Sequence, residues 1–204
     1  MTQTKPQFRT IDEYLDYDDG TGKRYELVNG ELVEFPNENP INNTIASILF
    51  AAFLTLGIPA YRLVIGHQIE VESSEVSARQ PDLIVHTDES IRALLSDDRI
   101  IRLGMPVPQL VVEVVLPGGP SSENYQRDYV EKPREYAARG IGELWQIDPS
   151  RSVVNVLELV NGAYQSRPFA GDDSILSPQV PNLQLTAAQL LAVQLYCNSA
   201  LWGE

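Results

Sequence analysis

The 204-residue sequence holds one cysteine, Cys197, so neither an intrachain disulfide framework nor a cysteine-rich metal site can form. Such sparing use of cysteine suits a reducing compartment. Histidine is nearly as scarce. His67 and His86 are the only two, and neither has a Cys or His at metal-ligand spacing, which argues against zinc. Cations are few: 15 Lys and Arg stand against 28 Asp and Glu, a net charge of −13. A surface coated in nucleic-acid-binding charge is thereby excluded, but a small acidic site holding a divalent cation is not. Long apolar runs are missing too. The longest, Thr44 to Ile58, is interrupted by Ser47, Thr55 and Gly57, is shorter than a membrane span, and reads as a buried helix. The opening Met-Thr-Gln-Thr-Lys-Pro lacks the apolar stretch of a secretory leader. The expectation is a soluble, cytoplasmic protein. There is no internal repeat, no P-loop and no Gly-x-Ser-x-Gly elbow.

What is present suits one globular domain over 1–204, with 43% hydrophobic residues to build its core. Thr10, with Glu13 three residues later, opens a short first helix as a capping box. Asn29-Gly30 lies between Arg24–Val28 and Glu31–Phe35, and Asn161-Gly162 between Val153–Val160 and Ala163–Phe169. Each reads as a hairpin, because both residues of the tight turn must tolerate positive φ. Helices are expected over Asn42–Leu56, around Ile91–Leu95, over Tyr125–Arg139, where Pro133 must kink the helix or mark its start, and over Thr186–Leu195. Strands are expected over Tyr61–Ile65, Gln68–Val71, Pro81–His86, Leu110–Leu116 and Glu143–Ile147. The order predicts α/β or α+β architecture: a mixed sheet with helices around it.

Acids inside apolar strands are the candidates for chemistry. Glu113 sits in Leu110-Val-Val-Glu-Val-Val-Leu116, a run that suits a central strand buried on both faces. A carboxylate there is costly unless paired, hydrogen-bonded or bound to metal. Asp82 precedes Leu-Ile-Val; alone it reads as a strand-entry residue bonding nearby backbone. On adjacent strands, Asp82 and Glu113 could share one oxygen-loving cation such as magnesium. Glu26, in Tyr25-Glu-Leu-Val, either faces solvent on its hairpin or joins them. Lys132, one of three lysines, forms with Asp128 either an exposed i,i+4 pair or a cation that serves the acids.

Tyr25-Glu-Leu-Val-Asn-Gly-Glu, Gln80-Pro-Asp-Leu-Ile-Val, Val111-Val-Glu-Val-Val, Asp128-x-x-x-Lys132-x-x-x-Tyr136 and Gly140-Ile-Gly-Glu-Leu-Trp-Gln-Ile-Asp-Pro149 follow one another in that order. The ordered set resembles the Uma family of putative restriction endonucleases, within the PD-(D/E)XK nuclease superfamily, over roughly residues 8–195. The resemblance implies a restriction-endonuclease-like mixed β-sheet flanked by helices, here with extra N- and C-terminal hairpins. It also implies a metal-dependent phosphodiesterase site. Asp82 and Glu113 would hold Mg²⁺ or Mn²⁺, with the Val114 carbonyl a further ligand. Glu26 would add a ligand or hold a metal-bound water, and Lys132 would orient the attacking water or offset phosphate charge. The chain departs from the pattern in places. Val115 stands where the superfamily has its lysine, Leu116-Pro117 replaces a Ser-Pro, and Asn42 or Asn43 replaces a histidine before the first long helix.

The expected activity is therefore metal-dependent hydrolysis of DNA. Only Arg127, Lys132, Arg134 and Arg139 cluster, diluted by Asp128, Glu131 and Glu135, so a homodimer lining one cleft with both copies is expected. Two other readings stay open: a catalytically inactive member kept as an interaction or regulatory module, and a metal-dependent phosphodiesterase for a smaller substrate.

Overall fold

The computed structural model describes residues 6–18, 20–21, 25–34, 40–97 and 99–192. Cys197, Lys5 and Lys23, the hairpin ends at Arg24 and Phe35, most of the loop before Pro40 and the last helix beyond residue 192 lie outside them.

The elements follow from local chemistry. Helix α1 (Ile11–Leu15) is capped by Thr10, whose side chain accepts from the Glu13 N–H. Strands β1 (Tyr25–Val28) and β2 (Glu31–Glu34) pair antiparallel through Asn29 and Gly30, at φ 48° and 76°. The left-handed pair at the turn is what the Asn-Gly dipeptide supplies. Gly30 has a second constraint, since a Cβ there would stand 2.7 Å from the Phe8 carbonyl oxygen. Helix α2 (Pro40–Thr55) is followed by short strands β3 (Leu63–Val64), β4 (Ile69–Val71), β5 (Ser77–Arg79) and β6 (Leu83–Val85). Then come α3 (Asp88–Asp97) and the central β7 (Leu110–Val114).

The segment after β7 is one long helical run with a change of pitch. Its first turn is α4 (Glu123–Gln126), its last part α5 (Lys132–Arg139), and between them lies a π-helical turn, Arg127–Glu131. Pro133 stands in the first turn of α5, next to its start at Lys132, as one of the two expectations for it had it. Proline has no N–H for the carbonyl four residues back and its ring crowds that carbonyl; the wider π turn just upstream accommodates both effects. Strands β8 (Glu143–Asp148), β9 (Val153–Val160) and β10 (Ala163–Ala170), then helix α6 (Ala187–Leu191), complete the fold. The β9–β10 turn again uses Asn161 and Gly162 at positive φ.

The expected single sheet is two. Six strands run β10-β9-β8-β7-β6-β3, antiparallel except for the parallel pair β7–β8, which the helical run crosses over. The N-terminal hairpin instead joins β5 and β4 in a four-stranded sheet, β2-β1-β5-β4. Strand β7 is buried throughout because both faces of the large sheet are covered. Val112 and Val114 pack with Ile45, Leu49 and Phe53 of α2. Val111 packs on the opposite face with Tyr136, Ile84 and Leu144. Strand alternation puts Glu113 on the Val111 face, toward α5. A third cluster, including Phe8, Ile11, Leu27 and Ile100, supports the small sheet.

Candidate active site

The register of the large sheet brings the first two acids together. Leu83 lies across from Val112 in the antiparallel β6–β7 pair, so continuing that register sets Asp82 across from Glu113. Asp82 Oδ2 accepts a 2.7 Å hydrogen bond from the Val114 N–H. Thus the Pro-Asp segment is stitched to the end of β7 by the residue that follows Glu113.

Glu113 is buried, and both carboxylate oxygens have partners from α5. Lys132 Nζ donates to Oε2 at 2.6 Å and the Tyr136 hydroxyl to Oε1 at 2.6 Å. Residues four apart on a helix share a face, so α5 presents both donors at once. Lys132 is equally buried and also lies 3.6 Å from Asp128 Oδ1 and 4.0 Å from Glu26 Oε1. It is therefore not an exposed surface pair with Asp128. Glu26 is buried too, rather than facing solvent. Its Oε1 accepts from the Gln80 N–H at 3.1 Å and its Oε2 stands 3.4 Å from the Arg79 guanidinium. The Val114 carbonyl accepts from Asn42 Nδ2 of α2 at 3.2 Å.

Several participants carry no strong sequence signal. Asp128 is buried, accepts from the Leu116 N–H at 3.1 Å and pairs with Arg127 at 2.9 Å. Arg79 is fully buried and binds Glu135 through two hydrogen bonds, 2.7 and 3.0 Å. The spacing of Lys132, Glu135 and Tyr136 at i, i+3 and i+4 is the one pattern that marks them as a common face. The four clustered cations do not form a free basic surface. Arg127 is paired, Lys132 is buried, and Arg139 donates to the Arg102 and Met105 carbonyls. Only Arg134 of the four is exposed.

The electrostatics follow from burial. Desolvation pushes the Asp82 carboxyl up to about 6, with the Val114 N–H and Lys132 pulling the other way. Burial likewise pushes Glu113 up to about 7, opposed by Lys132 and reinforced by the Asp82 and Glu26 charges. Burial would lower the Lys132 ammonium, but Glu113, Glu26 and Asp128 outweigh it and hold it above the ordinary lysine value. For Asp128, burial is overcome by Lys132, Arg127 and the Leu116 N–H, so its carboxyl lies below the usual range. The cluster thus carries a fixed ammonium among carboxylates, two of which burial holds above the ordinary carboxyl value.

Those two raised carboxyls are the observation that bears on a metal. Asp82, Glu113 and the Val114 carbonyl are hard oxygen donors, and a divalent cation would offset the charge that burial and mutual repulsion now disfavour. The donor set fits Mg²⁺ or Mn²⁺. Among the described residues, no group of three or more His, Cys, Asp or Glu side chains is arranged to hold a metal ion by itself. Water or substrate oxygens would therefore complete the shell, as magnesium commonly requires.

A family model described as "Uma2: Putative restriction endonuclease" matches residues 11–188. The chain belongs to that family. A solved structure, described as that of a putative nuclease belonging to DUF820 from Anabaena variabilis ATCC 29413, is similar to this chain with a TM-score of 0.67 at 17% identity. The match covers 90% of this chain and 98% of that one. At this identity the likeness shows the fold, which is α+β and restriction-endonuclease-like, as the ordered motifs imply. No curated protein matches the sequence. Among the described residues no helix is long and apolar enough to cross a membrane.

The two histidines form a pair of their own, away from the Uma2 acids. His67 Nδ1 and His86 Nε2 stand 3.2 Å apart, and His86 Nδ1 meets Ser90 Oγ at 3.0 Å. Burial first, then His67 and Arg62, push His86 down to about 4. A histidine whose folded value is depressed contributes stability above its unfolded value near 6.5, lost as pH falls through about 4. His86→Gln should therefore flatten this part of the curve. The difference in urea-derived stability between wild type and variant should grow by up to about 3 kcal/mol from pH 4 to pH 7. A pH-independent difference would remove this account.

Proposed function

We propose that this Uma2 protein is a divalent-metal-dependent endonuclease that hydrolyses DNA phosphodiester bonds. The observation that carries the reading is the convergence of Glu26 and Glu113, from two sheets, on the buried Lys132 ammonium, with Asp82 held across from Glu113 by the Val114 N–H. Asp82 and Glu113, with the Val114 carbonyl, would hold Mg²⁺ or Mn²⁺. Glu26, whose oxygens accept from the Gln80 N–H and face Arg79, would add a ligand or hold a metal-bound water. When bound, such a cation lowers the pKa of a coordinated water and polarises phosphoryl oxygens.

The chain's own residues do the rest. Lys132 keeps its proton across the neutral range and offers a fixed positive charge to the phosphate as negative charge builds on it. Tyr136, its hydroxyl held well above the ordinary tyrosine value by burial and by Glu113, stays a hydrogen-bond donor and fixes the Glu113 carboxylate. Asp128 ties the loop after β7 to the helical run through the Leu116 N–H.

The shortage of unpaired cations is the observation that favours a second reading, a smaller phosphodiester substrate. A duplex is held mainly by neutralised phosphates, which a homodimer with two copies of this face would serve better than one protomer. Val115, in place of the superfamily lysine, favours the inactive interaction module. A cytoplasmic setting accords with all three.

Calorimetric titration with Mn²⁺ separates them. Saturable binding by wild type, lost in both Asp82→Asn and Glu113→Gln, is expected, with cleavage of plasmid and single-stranded DNA following the same pattern. Cleavage of bis(p-nitrophenyl) phosphate without cleavage of DNA would select the smaller substrate. Absence of Mn²⁺ binding, with and without DNA, would leave the interaction module.

A further inference from the structure

Arg79 lies on β5 of the small sheet and has no exposed surface. A guanidinium taken out of water at a cost of several kcal/mol persists only where it is paired and hydrogen-bonded. Its pairing is unusually directional. Nε and Nη2 grip the two oxygens of Glu135 at 2.7 and 3.0 Å, a bidentate fork that fixes both position and plane. Nη2 also lies 3.3 Å from Glu131, and Nη1 lies 3.4 Å from Glu26 Oε2. One side chain thus spans β1, the π turn and α5.

Two consequences bear on Lys132. Glu135 is three residues after Lys132 and one before Tyr136, so holding Glu135 fixes the rotation and depth of the helix face that delivers both donors to Glu113. Glu26 is divided between two cations: one oxygen faces Arg79, and the other stands 4.0 Å from Lys132. Without Arg79, both Glu26 oxygens would compete with Glu113 for the same ammonium.

We infer that Arg79 is the positioning residue of this site, clamping Glu135 and Glu26 so that the Lys132 ammonium rests on Glu113. It reaches neither Asp82 nor Glu113 itself. The functional meaning of this placement rests on the nuclease reading, but the placement itself does not.

Lys132 is one of three lysines, so ¹⁵N-lysine spectra of the full chain contain few ammonium signals. The paired variant Arg79→Met/Glu135→Met removes the guanidinium and its main partner together, because exchange of a buried ion pair for apolar side chains is commonly tolerated. The expected result is a folded protein in which the Lys132 Nζ signal moves and its protons exchange at least about tenfold faster. Mn²⁺ affinity should fall about tenfold, the usual effect of losing a group that orients ligands. Arg79→Lys keeps the charge without the fork and should recover only part of either effect.

A folded pair variant with an unchanged Lys132 signal would overturn the inference and leave Arg79 a structural clamp. If that variant does not fold, Glu135→Gln, which weakens the grip while retaining an acceptor, must show the same displacement in smaller measure; an unmoved signal there also overturns it. If wild type binds no Mn²⁺, the nuclease reading fails while the Lys132 signal still decides the role of Arg79.

Discussion

Lys132→Met is expected to abolish function and to cost stability in a pH-dependent way. The ammonium is the one lysine charge among Glu113, Glu26 and Asp128, and its removal leaves a buried carboxylate without its cation. Breaking a buried pair from one side typically costs about 3–5 kcal/mol. The cost should be smaller at pH 6 than at pH 8. Glu113 already sits near 7, loss of Lys132 raises it further, and below that value the carboxyl simply takes up a proton. Guanidinium unfolding of the metal-free protein at both pH values checks the sign. DNA cleavage should fall roughly 10²–10³-fold, the usual effect of deleting one preorganised positive donor at a reacting centre. Equal destabilisation at both pH values with cleavage retained would place Lys132 outside the site.

Asp82→Asn should act in opposite directions on stability and function. Without metal, the Asp82 carboxyl is raised from 3.8 to about 6, so the folded protein binds its proton more tightly than the unfolded chain does. For such a group stability is lost as pH rises from about 4 through about 6. Asparagine removes that penalty and can still accept from the Val114 N–H through its carbonyl oxygen. The variant should be more stable than wild type by up to about 3 kcal/mol at pH 8, with most of the advantage gone at pH 4. In a chain of this size that corresponds to a rise of up to roughly 6–12 °C in Tm. Mn²⁺ binding and cleavage should be lost together. A variant less stable than wild type at pH 8 would mean that Asp82 serves the fold. Greater stability with lost function is the mark of a group kept for chemistry.

The sequence was informative wherever a local rule had a local cause. Both Asn-Gly turns form as their dipeptides require, and the apolar run around Glu113 is a strand buried along its whole length. The acids interrupting such strands were conspicuous because burial of a carboxylate needs a reason. Other features depended on partners distant in sequence. Strand β5, Ser77-Ala-Arg, has neither alternation nor β-branched residues, and its strand pairing comes from β1 and β4. Nothing local marks Arg79 or Glu135 for burial, since a charge is ordinarily exposed; they are buried where they meet across 56 positions of sequence. The division into two sheets was hidden for the same reason, since a hairpin pattern says nothing about which further strand it will join. Pro133 does mark the start of α5, whereas the π turn that precedes it has no local sequence signal.

The division into two sheets makes the cluster a seam. Asp82 and Glu113 belong to the β6–β7 side, which shares its core with α2. Glu26 and Arg79 belong to the small sheet, whose β1 and β5 rest on a smaller apolar cluster of their own, while its β4 joins the cluster of Val111 and Tyr136 through Ile69 and Val71. A structure held by several apolar clusters can open at the smallest while the others stay intact. Heat inactivation of such a protein would run ahead of its melting: β1, β2 and β5 loosen from β4, taking Glu26 and Arg79 with them, while α2 and the central strands remain folded. Thermal tolerance of the activity and thermal tolerance of the fold would then be separate traits, open to separate adjustment through residues such as Phe8 and Leu27 on one side and Leu49 and Phe53 on the other.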